Sequence, residues 1–548
     1  MVRQARDGKI HRKKWIPGLI IEPMLPLAAV IVLLVAACAI PLFRLARPGY
    51  AYHWLIGVIG TLAAWGLILF SGLHLPQIFS PGFSPLIYLS DRDTFPYTAA
   101  LSTLLLAVAF TASVHLRSLD WKSWSSSLAA GAFGILAVLA GSPLTLLIAW
   151  AALDLLELTA LLAYIHDSSD RERVVTGFAA RVIGLIILLW AVLDSQSGLA
   201  NAGFTELTAT TRLFMITAAG LRLGVLPLHL PFSQELPMHP TPGTALRMSA
   251  AAGSLVLLVR APMIEPAPPI TNTLLILTGA AALYGAWGWA TIEEGRSGRP
   301  YWILGTAALA VASALRGQPG ASAAWGTACL LTGSIYFLST HRHMLLKLQL
   351  ALGMLALSAL PFMPTWKGAL LYEISPVNGS SEIGQILGSI LMTIIFMAAH
   401  ALLLAGFFQH IRKIVLPLGA SERWINVIYP LGLMLLSIVH FMIGFWDLPS
   451  LGTLPVTAWG GGLAVILIAV LIWRVSLSTP RVPYRVLAIW RRIFSLSWLY
   501  GLLWSLYRSL GKAIAGVSLI LEGEGGFLWA LVLLVALASL FAGQGLGR

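Results

Sequence analysis

Two residues of 548 are cysteines, Cys38 and Cys329. So few thiols, so far apart, build neither a disulfide framework nor a Cys-based metal site, and this excludes small secreted scaffolds and iron–sulfur subunits. Charge is scarce too, with Asp, Glu, Lys and Arg together at 10%. Soluble enzymes and disordered chains both need far more. No Gly-rich strand-to-helix fingerprint, nucleotide loop, His-Glu-x-x-His pair or ring-forming selectivity motif occurs, so no nicotinamide, flavin, haem or metal cofactor is expected. What the chain has is apolar surface, with hydrophobic residues at 58%. It reads as an all-α, polytopic membrane helix bundle.

Crossing about 30 Å of hydrocarbon takes about 20 apolar residues as helix. Runs of that kind lie near 24–45, 52–73, 95–116, 144–165, 175–194, 211–231, 241–262, 271–291, 321–340, 347–363, 384–409, 425–446, 456–475 and 527–543. Two shorter, Gly/Ala-rich runs near 127–141 and 301–316 need shelter from neighbours. The expectation is 14–16 transmembrane helices. None of the ten-residue alternation that barrel strands require is present.

The balance of 35 Lys+Arg against 22 Asp+Glu gives +13, but the basic residues sit mainly between apolar runs, which is a topology signal and not a nucleic-acid footprint. Arg44, Arg47, Arg117, Lys122, Arg171 and Arg173 occupy alternate loops, which places those loops in the cytoplasm and the N-terminus outside. The tail MVRQARDGKIHRKK, with six Lys/Arg, argues for the opposite side, and no cleavage site marks it as a signal peptide. Residues 480–524 alternate Arg with Trp, Leu, Ile and Tyr and read as an amphipathic surface helix, serving either as an anchor for a last span or as a strut across neighbouring helices. The run EGEGG at 522–526 reads as the turn that ends it, and His341 and His343 as a solvated basic patch.

A charge inside a span costs several kcal/mol and asks for a reason. Asp154 lies deep in LLIAWAALDLLELTALLAYI, with Glu157 one turn on and on the same face. Glu157 is either a snorkelling helix-end charge or part of a site. Arg222 sits mid-span in TRLFMITAAGLRLGVLPLHLP, and the prolines that follow, Pro227 and Pro231, interrupt the helix. Free backbone groups at membrane depth require a polar interior, and His229, Glu235, His239 and Arg247 line that stretch, with His400 inside 384–409. Lone intramembrane histidines are either packing groups or relay members.

These residues carry a family likeness. PLHLPFSQELPMHPTPGTALRMSAAAGSLVLLVR and LALSALPFMPTWKGALLYE resemble the signature segments of the antiporter-like subunits of respiratory complex I and of Mrp cation/proton antiporters, and the span count with a surface helix before the last span is similar to the largest, distal member. The likeness covers roughly 85–415 and implies inverted repeats with broken helices. The organisation it suggests is a basic tail 1–23, helices 24–126, repeats 127–262 and 263–415, helices 416–479, the surface helix 480–524 and a final span 525–548. It also implies that Asp154 takes the place of the essential mid-membrane acid, Arg222 that of its partner Lys, and Lys367 that of the terminal Lys. Met248, beside Arg247, and Cys329 and Gly333 stand where the family usually carries His or Lys. Arg222 cannot release a proton as a Lys can, so it acts as a fixed charge.

Three functions fit these residues. One is a proton- or sodium-translocating subunit of a redox-driven pump, such as NADH:quinone oxidoreductase or a membrane hydrogenase. The path would use Asp154, Glu157, Arg222, His229, Arg247, His400 and Lys367. Another is an Mrp Na+/H+ antiporter or inorganic-carbon-uptake subunit, and the third a non-conducting scaffold. Other membrane subunits and the bilayer are the expected partners, and a prokaryotic inner membrane is the expected location.

Overall fold

Lipid satisfies no backbone N–H or C=O, so the apolar runs must close their own hydrogen bonds as helices. The computed structural model describes residues 24–50, 52–80, 86–115, 119–165, 167–194, 203–204, 207–230, 239–263, 269–292, 296–340, 345–374, 383–411, 424–446, 456–476, 497–522, 531–532 and 534–535. In chain order the helices are α1 (Leu25–Ala46), α2 (His53–Ser71), α3 (Phe95–Thr111), α4 (Trp121–Val138), α5 (Pro143–Leu162), α6 (Ser168–Asp194), α7 (Ala209–Arg222) and α8 (Pro240–Arg260). There follow α9 (Ile270–Thr291), α10 (Arg299–Leu315), α11 (Pro319–Leu338), α12 (Leu346–Leu357), α13 (Ile383–Ile411), α14 (Ile425–Trp446), α15 (Val456–Ser476) and α16 (Ser497–Glu522). Nine helices among the described residues are long and apolar enough to cross a membrane. This is a multi-pass, all-α membrane protein. One short antiparallel hairpin, β1 (Gln77–Phe79) with β2 (Tyr88–Ser90), pairs Gln77 with Ser90 between α2 and α3.

Local chemistry sets the helix starts. Asp120, Ser142 and Thr208 accept the N–H groups of Ser123, Thr145 and Thr211, capping α4, α5 and α7. Proline fills the first turn of α1, α3, α5, α8, α10 and α11, where its missing N–H costs nothing. The run expected at 127–141 starts earlier, at Trp121, because Asp120 supplies a cap.

Helices α4 to α8 contact one another in sequence, and α8 returns to α4. Helices α9 to α13 repeat the pattern, with α13 returning to α9. The fourth helix of each unit is broken. α7 ends at Arg222 and gives way to turns through 228, so the expected span 211–231 is cut short, and Arg222 stands at a helix end and not mid-span. α12 likewise ends at Leu357, short of the expected 363, and resumes as a 3-10 segment, Trp366–Tyr372. Ala359 and Phe362 in that break have φ of 53° and 64°, a backbone region L-residues seldom adopt, while Thr365 braces it by accepting the Ala359 N–H and donating to the Ala356 carbonyl.

The core lies along α3, α8, α10 and α11, where small side chains let backbones approach. Every residue of α10 is buried. Outer helices divide by face: on α5 the exposed residues include Ile148, Leu155 and Leu162, seven apart, while Leu146, Trp150, Leu153, Asp154 and Glu157 are buried. Of the expected surface helix, 497–522 is helical, exposes Leu502, Leu506 and Leu510, and packs on α6. Residues 480–496, the tail 1–23, Glu235, His341, His343 and most of the expected span 527–543 lie outside the described residues.

A buried carboxylate and guanidinium cluster

Asp154 is the twelfth residue of α5, about 16 Å along the axis from its start, which is mid-depth for a helix that crosses the bilayer. Asp154 and Glu157 are each 1% exposed. Two anions so placed are tenable only if cations and hydrogen bonds replace water. The first unit supplies them from three more helices. Arg222, at the end of α7, forks onto Asp154, with Nη1 donating to Oδ2 at 2.6 Å and Nη2 to Oδ1 at 2.8 Å. Arg181 of α6 donates both terminal nitrogens to Glu157, Nη2 to Oε1 at 2.9 Å, and its Nη1 also lies 3.5 Å from Asp154 Oδ1. Arg247 of α8 completes the group with Nη1 on Glu157 Oε1 at 2.9 Å. Bidentate guanidinium–carboxylate pairs are the strongest ordinary hydrogen bonds a protein makes.

Neighbours shape the seat. The Arg222 guanidinium lies over the Trp150 ring at 4.2 Å from its centre, one turn below Asp154 on α5. Gly184 on α6 leaves room for the arginine stem, since a Cβ there would come within 2.8 Å of Arg222 Cγ. Charge, aromatic face and missing side chain thus come from α5, α6 and α7 together.

Glu157 is therefore no snorkelling helix-end charge. It is as deeply buried as Asp154 and holds two arginines. Arg181 lies outside the expected site, and its signal in the sequence is a single guanidinium within the apolar run 175–194. The remaining candidates fall in other places. His229, buried just past α7, donates from Nδ1 to the Pro227 carbonyl at 2.8 Å. His400 on α13 bridges the break in the second unit: Nε2 donates to the Leu357 carbonyl at 2.8 Å, and Nδ1 accepts from the Tyr372 hydroxyl at 2.7 Å. Lys367, in the 3-10 segment, lines a cavity with Arg92 and Asp93. That segment packs on α10, α11, α13 and α15, whereas α5 packs on α4, α6 and α8, so Lys367 and Asp154 occupy separate units.

Buried polar residues on the helices that join the two units, α8, α10 and α11, include Arg299, against Gly243, and Ser249, Ser254, Thr306 and Thr332. Met248, Cys329 and Gly333 are buried, the Trp302 indole donates to the Cys329 carbonyl at 3.1 Å, and Gly333 abuts the same ring. Ala310 is the twelfth residue of α10, as Asp154 is of α5, and α10 carries no acidic residue.

No protein-family model matches the sequence, and no curated protein matches it. Solved structures do. A chain of the Mrp complex from Dietzia sp. DQ12-45-1b superimposes with a TM-score of 0.64 at 15% identity, over 95% of this chain and 63% of that one. The fold is that of the antiporter-like membrane subunits. A chain of the membrane-bound sulfane sulfur reductase, an archaeal respiratory membrane complex, gives a TM-score of 0.63 at 13% identity, over 94% of this chain and all of that one. A chain of respiratory complex I from Thermus thermophilus gives 0.55 at 17% identity, over 76% and 97%. This chain spans under two thirds of the Mrp-complex chain, and at these identities the likeness is one of fold alone.

Proposed function

We propose that this chain is the ion-translocating, antiporter-like membrane subunit of a multisubunit membrane complex, moving protons or sodium ions. In this reading Asp154 and Glu157 are the groups whose protonation changes. One observation carries it: four helices bring five charged side chains to mid-bilayer depth and join them in ion pairs. Interior charge of that kind is costly and has few uses besides transport.

The chemistry follows from the residue types. A guanidinium does not release its proton, so Arg181, Arg222 and Arg247 act as fixed charges, and the carboxylates are the only groups in the cluster able to exchange one. At an effective dielectric near 20, a pair 4 Å apart interacts by about 4 kcal/mol. Moving Arg222 off Asp154 by a few ångströms would raise the carboxylate's proton affinity, and its return would expel the proton. α7 ends at Arg222, so no further helix follows that residue to fix its backbone in place. A partner that alters charge nearby drives the cycle through electrostatic coupling, with no redox centre on this chain. The repeats 127–262 and 263–415 are the working units, His400 and Lys367 would carry the path through the second, and His229 and Arg247 flank the first. A redox-driven pump of the quinone-reductase or membrane-hydrogenase kind is the favoured assembly, and an Mrp-type or inorganic-carbon-uptake assembly the alternative.

A non-conducting scaffold is the second reading, favoured by Ala310 and by the Trp302 packing between the units. Asp154→Asn in the intact complex separates the two. Normal assembly with ion movement reduced tenfold or more supports transport through this chain. Normal assembly with unchanged movement assigns the chain to the scaffold.

A further inference from the structure

A cavity of about 320 Å3 opens where the starts of α3 and α11 meet the end of α14. Ends of spanning helices lie at headgroup depth. Two cations line it, Arg92 and Lys367, against one carboxylate, Asp93. Gly320, the second residue of α11, also lines it, and the Lys367 stem passes over that glycine: a Cβ there would sit 3.5 Å from Lys367 Cδ. The start of a helix carries roughly half a positive charge. With two cations to one carboxylate, and a helix start in the wall, the lining is net positive.

Its walls and rim are of another kind. Phe95 and Trp446 line the cavity and pack together with ring centres 5.4 Å apart. Trp446 is 50% exposed, and Leu73, beside the lining residue Leu75, is 71% exposed. Tryptophan at the end of a span is the usual marker of the headgroup boundary. The site is thus cationic inside and apolar outside, at the depth where a phosphate joins its acyl chains.

We propose that this cavity binds the phosphate of an anionic glycerophospholipid, with the headgroup between Arg92 and Lys367 and the chains over Leu73 and Trp446. Basic pockets between transmembrane helices take acidic headgroups in this way. The site shares Lys367 with the proposed ion path, so the substitutions that test it are made at Arg92 and Asp93, and lipid binding is read without ion movement.

Native mass spectrometry of the full-length chain in detergent tests it, with short-chain phosphatidylglycerol, the matching phosphatidylcholine and inorganic phosphate as probes. Phosphatidylglycerol is expected to bind at least roughly fivefold more tightly than phosphatidylcholine, and Arg92→Ala to weaken it by roughly fivefold, the worth of one surface cation. Asp93→Asn, which removes the opposing charge and leaves both cations, is expected to tighten it. Equal binding of the two lipids, or phosphatidylglycerol binding that neither substitution changes, overturns the proposal. If inorganic phosphate alone occupies the site with the same dependence on Arg92 and Asp93, the ligand is the free anion and the lipid assignment is overturned.

Discussion

Arg181→Ala is expected to lower stability by about 3–5 kcal/mol, the usual result of removing one partner from a buried ion pair. This arginine holds both oxygens of Glu157 and lies 3.5 Å from Asp154, so its loss affects two carboxylates at once. Glu157 would keep Arg247, and Asp154 would keep Arg222. That residual pairing sets the loss at a few kcal/mol and not at the far larger cost of a bare buried ion. Arg181→Lys should recover only part of it, because one ammonium cannot reproduce a planar fork onto Glu157. Thermal unfolding of the purified chain in detergent checks the series. Removing the exposed Arg173–Asp170 contact, 3.0 Å long at the start of α6, should change stability by at most about 1 kcal/mol, which fixes the scale for a surface pair.

Gly285→Ala should be destabilising by about 1–3 kcal/mol even though alanine is the better helix former. Helices α9 and α10 meet backbone to backbone: a Cβ at position 285 would lie 2.5 Å from the Gly305 nitrogen, 2.8 Å from its Cα and 3.0 Å from the Tyr301 carbonyl oxygen. Propensity favours the change by about 1 kcal/mol. Forcing two backbones apart in a filled core costs about 1–3 kcal/mol or more, and here the obstacle is main chain that cannot turn aside. The second effect wins. Gly177→Ala on α6, where nothing lies within 4 Å, isolates the propensity term and should be neutral or slightly stabilising. The same unfolding measurement compares the two, and Gly285→Leu should fall further than Gly285→Ala.

The spans were legible because apolar length is a property of one segment at a time. The first break was legible for the same reason, Pro227 marking it locally, and the second only through the resemblance carried by LALSALPFMPTWKGALLYE. Their positions were less so, because the last helical residue depends on what receives the freed carbonyls. α12 ends at Leu357 since His400, from α13, accepts that role, and nothing in 347–363 announces it. The site divides along the same line. Asp154, Glu157, Arg222 and Arg247 each stood out as a charge in an apolar setting, yet the partnership of Glu157 with α6 and α8 is tertiary and had no sequence signal. Arg181 carries the same local signal as Asp154, a lone charge in an apolar run, and its partners appear only in the packed bundle. The separation of Lys367 from Asp154 also follows from packing, since each residue belongs to its own ring of five helices.

Infrared difference spectroscopy of the assembled complex during turnover addresses the central claim most directly, namely that the buried carboxylates gain and lose a proton as the fixed guanidinium charges shift. The account predicts a protonated-carboxyl C=O band that appears on energisation, shifts in heavy water, and disappears in Asp154→Asn, Glu157→Gln or both. Ion movement that continues with no such band, or with a band unaltered by either substitution, would contradict it.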